Sequence, residues 1–278
     1  MQPKPLRRRN FQTLVENILA NNFLPPSLAA SVVCKFGFLC STLFGKVGRF
    51  CTGHLRERQY SQQSSYTLTS QLRPSLRLMV HIITIAPDRS CHFGPQRRPC
   101  LLYTDASDVP HRDPRFGIGG VLIQQEPSFS VEFFSSSVPS STVEQWIPKS
   151  TYMGQLEVLA APVALHTWGS SLRGRQVIHF IDNDAAASSL VKGYSPKTDS
   201  TALVGEYWSA AAQHGLEIYI DRVESKSNLA DGPSRFLLDE LHRLQATHVQ
   251  AKLIHHNQSQ IFQFFNGDGA VHPLAQSR

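Results

Sequence analysis

Three strand-like runs follow one another in close order from residue 100: CLLYTDAS, FGIGGVLIQQ and SVEFFSSSV, with only short polar turns between them. Connections this short leave no room for a crossover helix, so the runs form an antiparallel meander. Then the pattern changes period. A polar loop, PSSTVEQWIPKS, leads to YMGQLEVLAAPVALHTW, which reads as a helix with Leu156, Leu159, Ala160 and Val163 on one face. A strand (RQVIHFID), a short helix (AAASSLVKG), a turn (YSPKTDS), a longer helix (ALVGEYWSAAAQHG), a strand (LEIYIDRV) and a last helix near NLADGPSRFLLDELHRL complete the order βββαβααβα. Strands alternating with helices after a meander specify an α/β fold, a mixed sheet covered by helices.

Upstream the text is mostly helical. FQTLVENILANNFL has apolar residues at helical spacing, LPPS interrupts it, and LAASVVCKFGFLCSTLFGKVGRF resumes. The Ser/Gln-rich QYSQQSSYTLTSQ reads as a linker, LRPSLRLMVHIIT as one more helix, and APDRSCHFGPQRRP as a boundary. The chain thus divides into a basic helical region (1–60), a linker with one helix (61–99), the α/β domain (100–245) and a polar tail (246–278) to which no role is assigned. With 278 residues, 41% of them hydrophobic and 17% charged, there is material for one ordinary domain and extended flanks.

Charge is unevenly spread. Residues 1–100 hold fourteen Lys and Arg against three Asp and Glu, a balance of +11, whereas the rest hold thirteen against eighteen, a balance of −5. A basic arm beside an acidic domain fits a polyanion held by one part and metal-binding carboxylates in the other. A merely solvated basic surface fits the charge equally well. The five cysteines, Cys34, Cys40, Cys51, Cys91 and Cys100, include no CxxC pair and no His at zinc-ligand spacing, so free thiols in a reducing compartment are expected. The most apolar run, residues 28–45, is interrupted by Lys35, and no apolar core follows MQPKPLRRRN. Neither a membrane span nor a secretory peptide is expected.

Four acids fall beside apolar elements: Asp105 ends the first strand, Glu157 lies in the first helix of the α/β domain, Asp182 ends the fourth strand, and Asp231 opens the last helix. Singly, each fits a cap, a turn or a surface charge. Together they suit a site, because carboxylates gathered at low dielectric repel one another unless cations join them. Oxygen-only ligands favour Mg²⁺ or Mn²⁺ over zinc, and two such ions can clamp both oxygens of a phosphoryl displacement.

The stretches YTDAS (103–107), QLEVLA (155–160), FIDN (180–183) and NLADGPSR (228–235) resemble the ribonuclease H domain of retroelement and pararetroviral reverse transcriptases. The resemblance covers about residues 100–245 and implies a five-stranded sheet that hydrolyses the RNA strand of RNA:DNA hybrids with two Mg²⁺ ions, Mn²⁺ substituting. It implies that Asp105 bridges both ions, that Glu157 and Asp182 hold one, and that Asp231 helps to hold the other. It places Ser107, Asn183, Asn228, Ser234 and Arg235 at the substrate. Asp184 is then read as the N-cap of AAASSLVKG.

More faintly, LPPSLAASVVCKFGFLCSTLFGKVGRF resembles the helical thumb and connection before such domains, which implies Lys46 and Arg49 on phosphates. The sequence departs from the family pattern in three ways. It has no Tyr-x-Asp-Asp polymerase signature, no His before the final aspartate, and little room in KGYSPKTDS for an extra basic helix. The chain therefore resembles the C-terminal piece of a larger polyprotein, with a polymerase part as a possible partner and cytoplasm or nucleus as the implied compartment. Two rival readings stand beside this one: a catalytically decayed domain that binds nucleic acid or supports assembly, and another nuclease or integrase of the same fold. The motif around Asp231 weighs against the second.

Overall fold

A computed structural model describes residues 5–43, 45–62, 65–86, 98–254 and 261. Cys91, most of the expected boundary segment and most of the tail beyond residue 254 lie outside the described residues. Strands β1 (Cys100–Asp108), β2 (Phe116–Gln124) and β3 (Ser130–Ser137) form the expected antiparallel meander. On its other side β1 pairs in parallel with β4 (Gln176–Ile181), which pairs in parallel with β5 (Glu217–Arg222). A two-residue strand, β6 (Thr247–His248), adds in parallel to β3, so the sheet has six strands in the order β5-β4-β1-β2-β3-β6 rather than the expected five. This sixth strand comes from the tail that had no assigned role.

Helices α1 (Pro5–Asn21), α2 (Pro26–Cys40), α3 (Gly53–Gln59) and α4 (Leu72–Ile85) form the N-terminal region, and a short 3-10 turn spans Arg49–Cys51. Proline at the start of α2 suits a helix opening, since its missing N–H is one that the first turn cannot use. After the meander come the single turn α5 (Ser140–Val143), α6 (Met153–Trp168), α7 (Asp184–Lys192) and α8 (Thr198–His214). The expected last helix is broken into α9 (Asp231–Ser234) and α10 (Asp239–Arg243). Between them Phe236 takes a positive φ of 62°, a conformation that a continuing helix cannot contain.

The helix α6 differs from the amphipathic helix that its spacing suggests, because every residue from Gln155 to Leu165 is buried. It lies between the sheet, where it meets β1 and β2, and α8. A helix covered on all sides has no need of a polar face.

The N-terminal helices share the main hydrophobic core with the sheet domain. Phe50 packs against Gly205 of α8, and the Trp208 ring, also on α8, lies so close to Gly45 that a Cβ there would collide with it. Trp208 Nε1 donates to the Leu190 carbonyl at 2.8 Å, which ties α8 to α7. Among the described residues, no helix is long and apolar enough to cross a membrane.

Candidate metal centre

Neighbouring residues of a strand point to opposite faces of the sheet, and β1 uses both faces near its C-terminal end. Asp105 lies opposite Gly119 of β2 on the face approached by α9. A Cβ at Gly117 or Gly119 would run into the Ser234 backbone, so these two glycines allow α9 to reach the sheet. Ser234 is fully buried there, and its hydroxyl donates to Asp105 Oδ2 at 2.5 Å. The Ser107 hydroxyl donates to the Ser234 carbonyl at 2.6 Å, and the Ser135 hydroxyl to the Pro233 carbonyl at 2.6 Å. Asn228 anchors the preceding loop: Nδ2 donates to the Thr104 carbonyl at 3.1 Å, and Oδ1 accepts from the Ala230 N–H at 3.1 Å.

Into the same place α6 brings Glu157, and the end of β4 brings Asp182. Asp105, Glu157 and Asp182 each offer a carboxylate oxygen, and these oxygens all lie within 4.8 Å of one another. Asp105 is 3% exposed and Glu157 5%, so two carboxyl groups of this cluster lie in the interior. Glu157 Oε2 and Asp182 Oδ1 are buried without a hydrogen-bond partner. Burial pushes the Asp105 carboxyl up to about 7; the Ser234 hydrogen bond opposes this rise, while the charges of Asp182 and Asp231 add to it. Burial likewise pushes Glu157 up to about 9, reinforced by Asp105, Asp182 and Asp231.

Uncompensated carboxylates in the interior are costly, and a divalent cation would compensate them. The donor set is all oxygen, with unpartnered buried lone pairs at Glu157 and Asp182, and fits a hard divalent ion.

The fourth acid stands apart from this group. Asp231 Oδ1 accepts from Arg235 Nε at 2.9 Å, an i,i+4 pair that the single turn of α9 sets up, and it acts on Asp105 and Glu157 through its charge. Arg235 remains exposed beside the cluster, and its carbonyl accepts from Arg112.

Several residues assigned to substrate are engaged within the protein instead. Ser107, Asn228 and Ser234 are buried and hydrogen-bonded internally, so they position the site rather than reach out of it. Asn183 is the N-cap of α7, its Oδ1 accepting from the N–H groups of Ala185 and Ala186 at 3.1 and 3.0 Å. The reading of Asp184 as the cap is therefore corrected by one residue. Asp184 is the first helical residue, exposed, and pairs with Arg222 Nε at 2.6 Å. Lys46 and Arg49 lie at the far end of α7, where Arg49 donates to the Lys192 carbonyl at 3.4 Å.

Behind the acids lies a polar network that the motifs did not identify. His179 of β4 is fully buried, with Nε2 2.9 Å from the Thr104 hydroxyl and Nδ1 2.9 Å from the Tyr207 hydroxyl of α8. Burial holds its imidazole down to about 3, so it is neutral, donating from one nitrogen and accepting at the other. A histidine inside the apolar run VIHFI was the available signal.

No protein-family model matches the chain, and no curated protein is similar to it in sequence. Solved structures are similar in part. The RNase H1 of the halophilic archaeon Halobacterium salinarum is 16% identical, with a TM-score of 0.37, over 51% of this chain and 99% of that one. The N-terminal RNase H domain of a Mycobacterium tuberculosis protein, solved as a fusion with maltose-binding protein, is 15% identical with a TM-score of 0.37, over 53% and 99%. The prototype foamy virus protease-reverse transcriptase is 14% identical with a TM-score of 0.34, over 58% of this chain and 22% of that one.

Proposed function

We propose that the chain is a divalent-metal-dependent nuclease that hydrolyses the RNA strand of RNA:DNA hybrids, as part of a reverse-transcriptase-type protein. The observation that carries this reading is the trio Asp105, Glu157 and Asp182, with carboxylate oxygens within 4.8 Å of one another, in which Glu157 and Asp182 each also have a buried oxygen without a hydrogen-bond partner. The four motif stretches that resemble ribonuclease H supply these three acids and also Asp231, whose charge acts on Asp105 and Glu157.

Asp105, Glu157 and Asp182 would hold Mg²⁺, with Asp231 contributing its charge from the rim. When bound, the metal supplies Lewis-acid stabilisation of the charge that develops on phosphate oxygens during displacement. The protein's own part is to fix the ligands. Ser234 orients Asp105 through its hydroxyl, Asn228 pins the α9 loop to β1, and the glycines of β2 let that loop approach. Arg235 sits exposed at the rim, paired with Asp231, where its guanidinium would face a bound phosphate.

The test is cleavage of a labelled RNA:DNA hybrid beside RNA:RNA and DNA:DNA duplexes, with Mg²⁺, Mn²⁺ or EDTA, using the natural sequence and Asp105→Asn. Cutting confined to the hybrid, dependent on metal and lost in the variant, is expected. A folded protein that binds hybrid and leaves it intact would replace this reading with that of a nucleic-acid-binding module.

A further inference from the structure

The loop between β1 and β2, residues 109–115, reaches across to the end of α9. It is braced at its base. Arg115 donates from Nε and Nη2 to the two carboxylate oxygens of Asp108 at 2.6 and 3.0 Å, and its guanidinium lies 4.7 Å from the centre of the Phe116 ring. The Val109 N–H donates to the Arg115 carbonyl at 2.9 Å, and the Arg112 N–H to the Val109 carbonyl at 3.0 Å. A bidentate pair such as Arg115 with Asp108 fixes a direction as well as a distance. From this base Arg112 makes two contacts with the corner that joins α9 to α10. Its Nη1 donates to the Arg235 carbonyl, and its guanidinium lies over the Phe236 ring, 4.9 Å from the centroid.

The corner needs holding. Phe236 has a φ of 62°, which a residue with a side chain adopts only where its surroundings impose it. Its ring is fixed on two sides, by Arg112 and by β2, where a Cβ on Gly117 would approach the ring to 3.0 Å. The residue before it is Arg235, whose pair with Asp231 is half-exposed and spans one turn of a four-residue helix. Such a pair is worth little by itself, so it does not set its own geometry. Both of its charges nevertheless reach the acid cluster. There burial dominates the rise at Asp105 and Glu157, the Asp231 carboxylate adds to that rise, and the Arg235 guanidinium opposes it. Where the pair stands therefore bears on the charge that the trio holds.

We propose that Arg112 is a positioning residue for the acid cluster: it straps the corner between α9 and α10, and so holds the pair of Asp231 and Arg235 at the rim. Its effect on cleavage rests on the reading of the acids as a nuclease site; the strap itself does not. Arginine suits the role because its planar fork lies flat on a ring while donating in its own plane to a carbonyl, whereas a lysine ammonium has no plane to stack. Arg112 is exposed, so its removal should leave the fold intact.

The first measurement uses the metal-free protein without substrate and follows the Arg235 Nε–H resonance, identified by its loss in Arg235→Lys. In Arg112→Ala its exchange with water should quicken at least about threefold, because the pair with Asp231 opens more often, and Arg112→Lys should fall between. Phe236→Leu, which removes the ring and leaves the arginine, should quicken exchange in the same direction and serves if Arg112→Ala does not fold. Unchanged exchange in a folded variant would overturn the strap. The second measurement is hybrid cleavage in Mg²⁺. Arg112→Ala should lower kcat about five- to tenfold and leave KM within about twofold, with an unchanged melting temperature. In the Arg235→Gln background, where the pair is already gone, the same substitution should cost less than about twofold, since residues that act through one another are not additive. Equal losses in both backgrounds, or a melting temperature that falls with cleavage, would make Arg112 a structural residue only. Absence of cleavage by the natural sequence would remove the nuclease reading and leave the strap to be decided by the exchange rates.

Discussion

The two faces of β1 near its C-terminal end carry polar groups in opposite condition. On one face Asp105 meets Glu157 and Asp182 in a group with two buried oxygens left without partners. On the other, Thr104 joins His179 and Tyr207 in a network where both imidazole nitrogens are bonded. Burial is similar, and satisfaction is not. A satisfied buried network contributes to stability and fixes packing, whereas an unsatisfied one costs stability until something joins it. The contrast separates a satisfied polar core from an unsatisfied acidic cluster that fits a divalent ion, within one strand and between adjacent residues.

The contrast breaks most sharply under mutation of the acids. Asp182→Asn should lower hybrid cleavage by at least about a thousandfold, equivalent to roughly 4 kcal/mol of barrier, without lowering the melting temperature of the metal-free protein. Parallel turnover and melting measurements check this, and a variant that melts early would assign Asp182 a structural role. His179→Ala should do the reverse. It leaves a cavity and two unpaired hydroxyls, so denaturant titration should show a loss of about 3 kcal/mol. Cleavage by the folded fraction should stay within about tenfold; a larger fall would mean that the network also sets the position of Asp105.

Acidity distinguishes the two faces with opposite signs. Glu157 and Asp105 have folded values raised above their unfolded ones, so the metal-free protein holds protons there that the unfolded chain releases. Its stability should therefore fall as pH rises from about 4 to about 9, by several kcal/mol at most, and added Mg²⁺ should flatten that fall. His179 is depressed, so its contribution is present above the unfolded value near 6.5 and is lost as pH drops toward 3. Melting curves across this range, with Mg²⁺ or EDTA and with His179→Leu, separate the two components. The smallest effects concern the start of α7. Asn183→Ala should cost about 1 kcal/mol of stability by removing a cap, and Asp184→Asn only a few tenths, since its pair with Arg222 is exposed.

Much of this was legible in the residues. Hydrophobic period alone placed the meander, α6, β4, α8 and β5, because each is long enough for its pattern to repeat. The gathering of Asp105, Glu157 and Asp182 was legible only from the three together, in the order of the elements that carry them, because singly each also fits a cap, a turn or a surface charge. What escaped depended on tertiary contact. That Asn183 rather than Asp184 caps α7 turns on one residue of φ and ψ, and both types cap well. Ser107, Asn228 and Ser234 lie in the motifs, but whether their side chains point to substrate or to partners within the protein is decided by how closely α9 and the loop before it approach the sheet. The partners of His179 lie on another strand and on a helix further along the chain, and nothing local to VIHFI names them. The tail strand β6 has two residues, too few for any period to show.

The seat of the N-terminal helices on α8 has a consequence for how the molecule comes apart. Phe50, Trp208 and Tyr207 belong to one continuous apolar core, so the arm and the sheet should unfold in a single cooperative transition rather than as two. A fragment beginning near residue 98 would present the α8 surface bare to water and should self-associate. The N-terminal helices are therefore a fixed cover over α8, keeping its apolar side out of water for as long as the chain is folded.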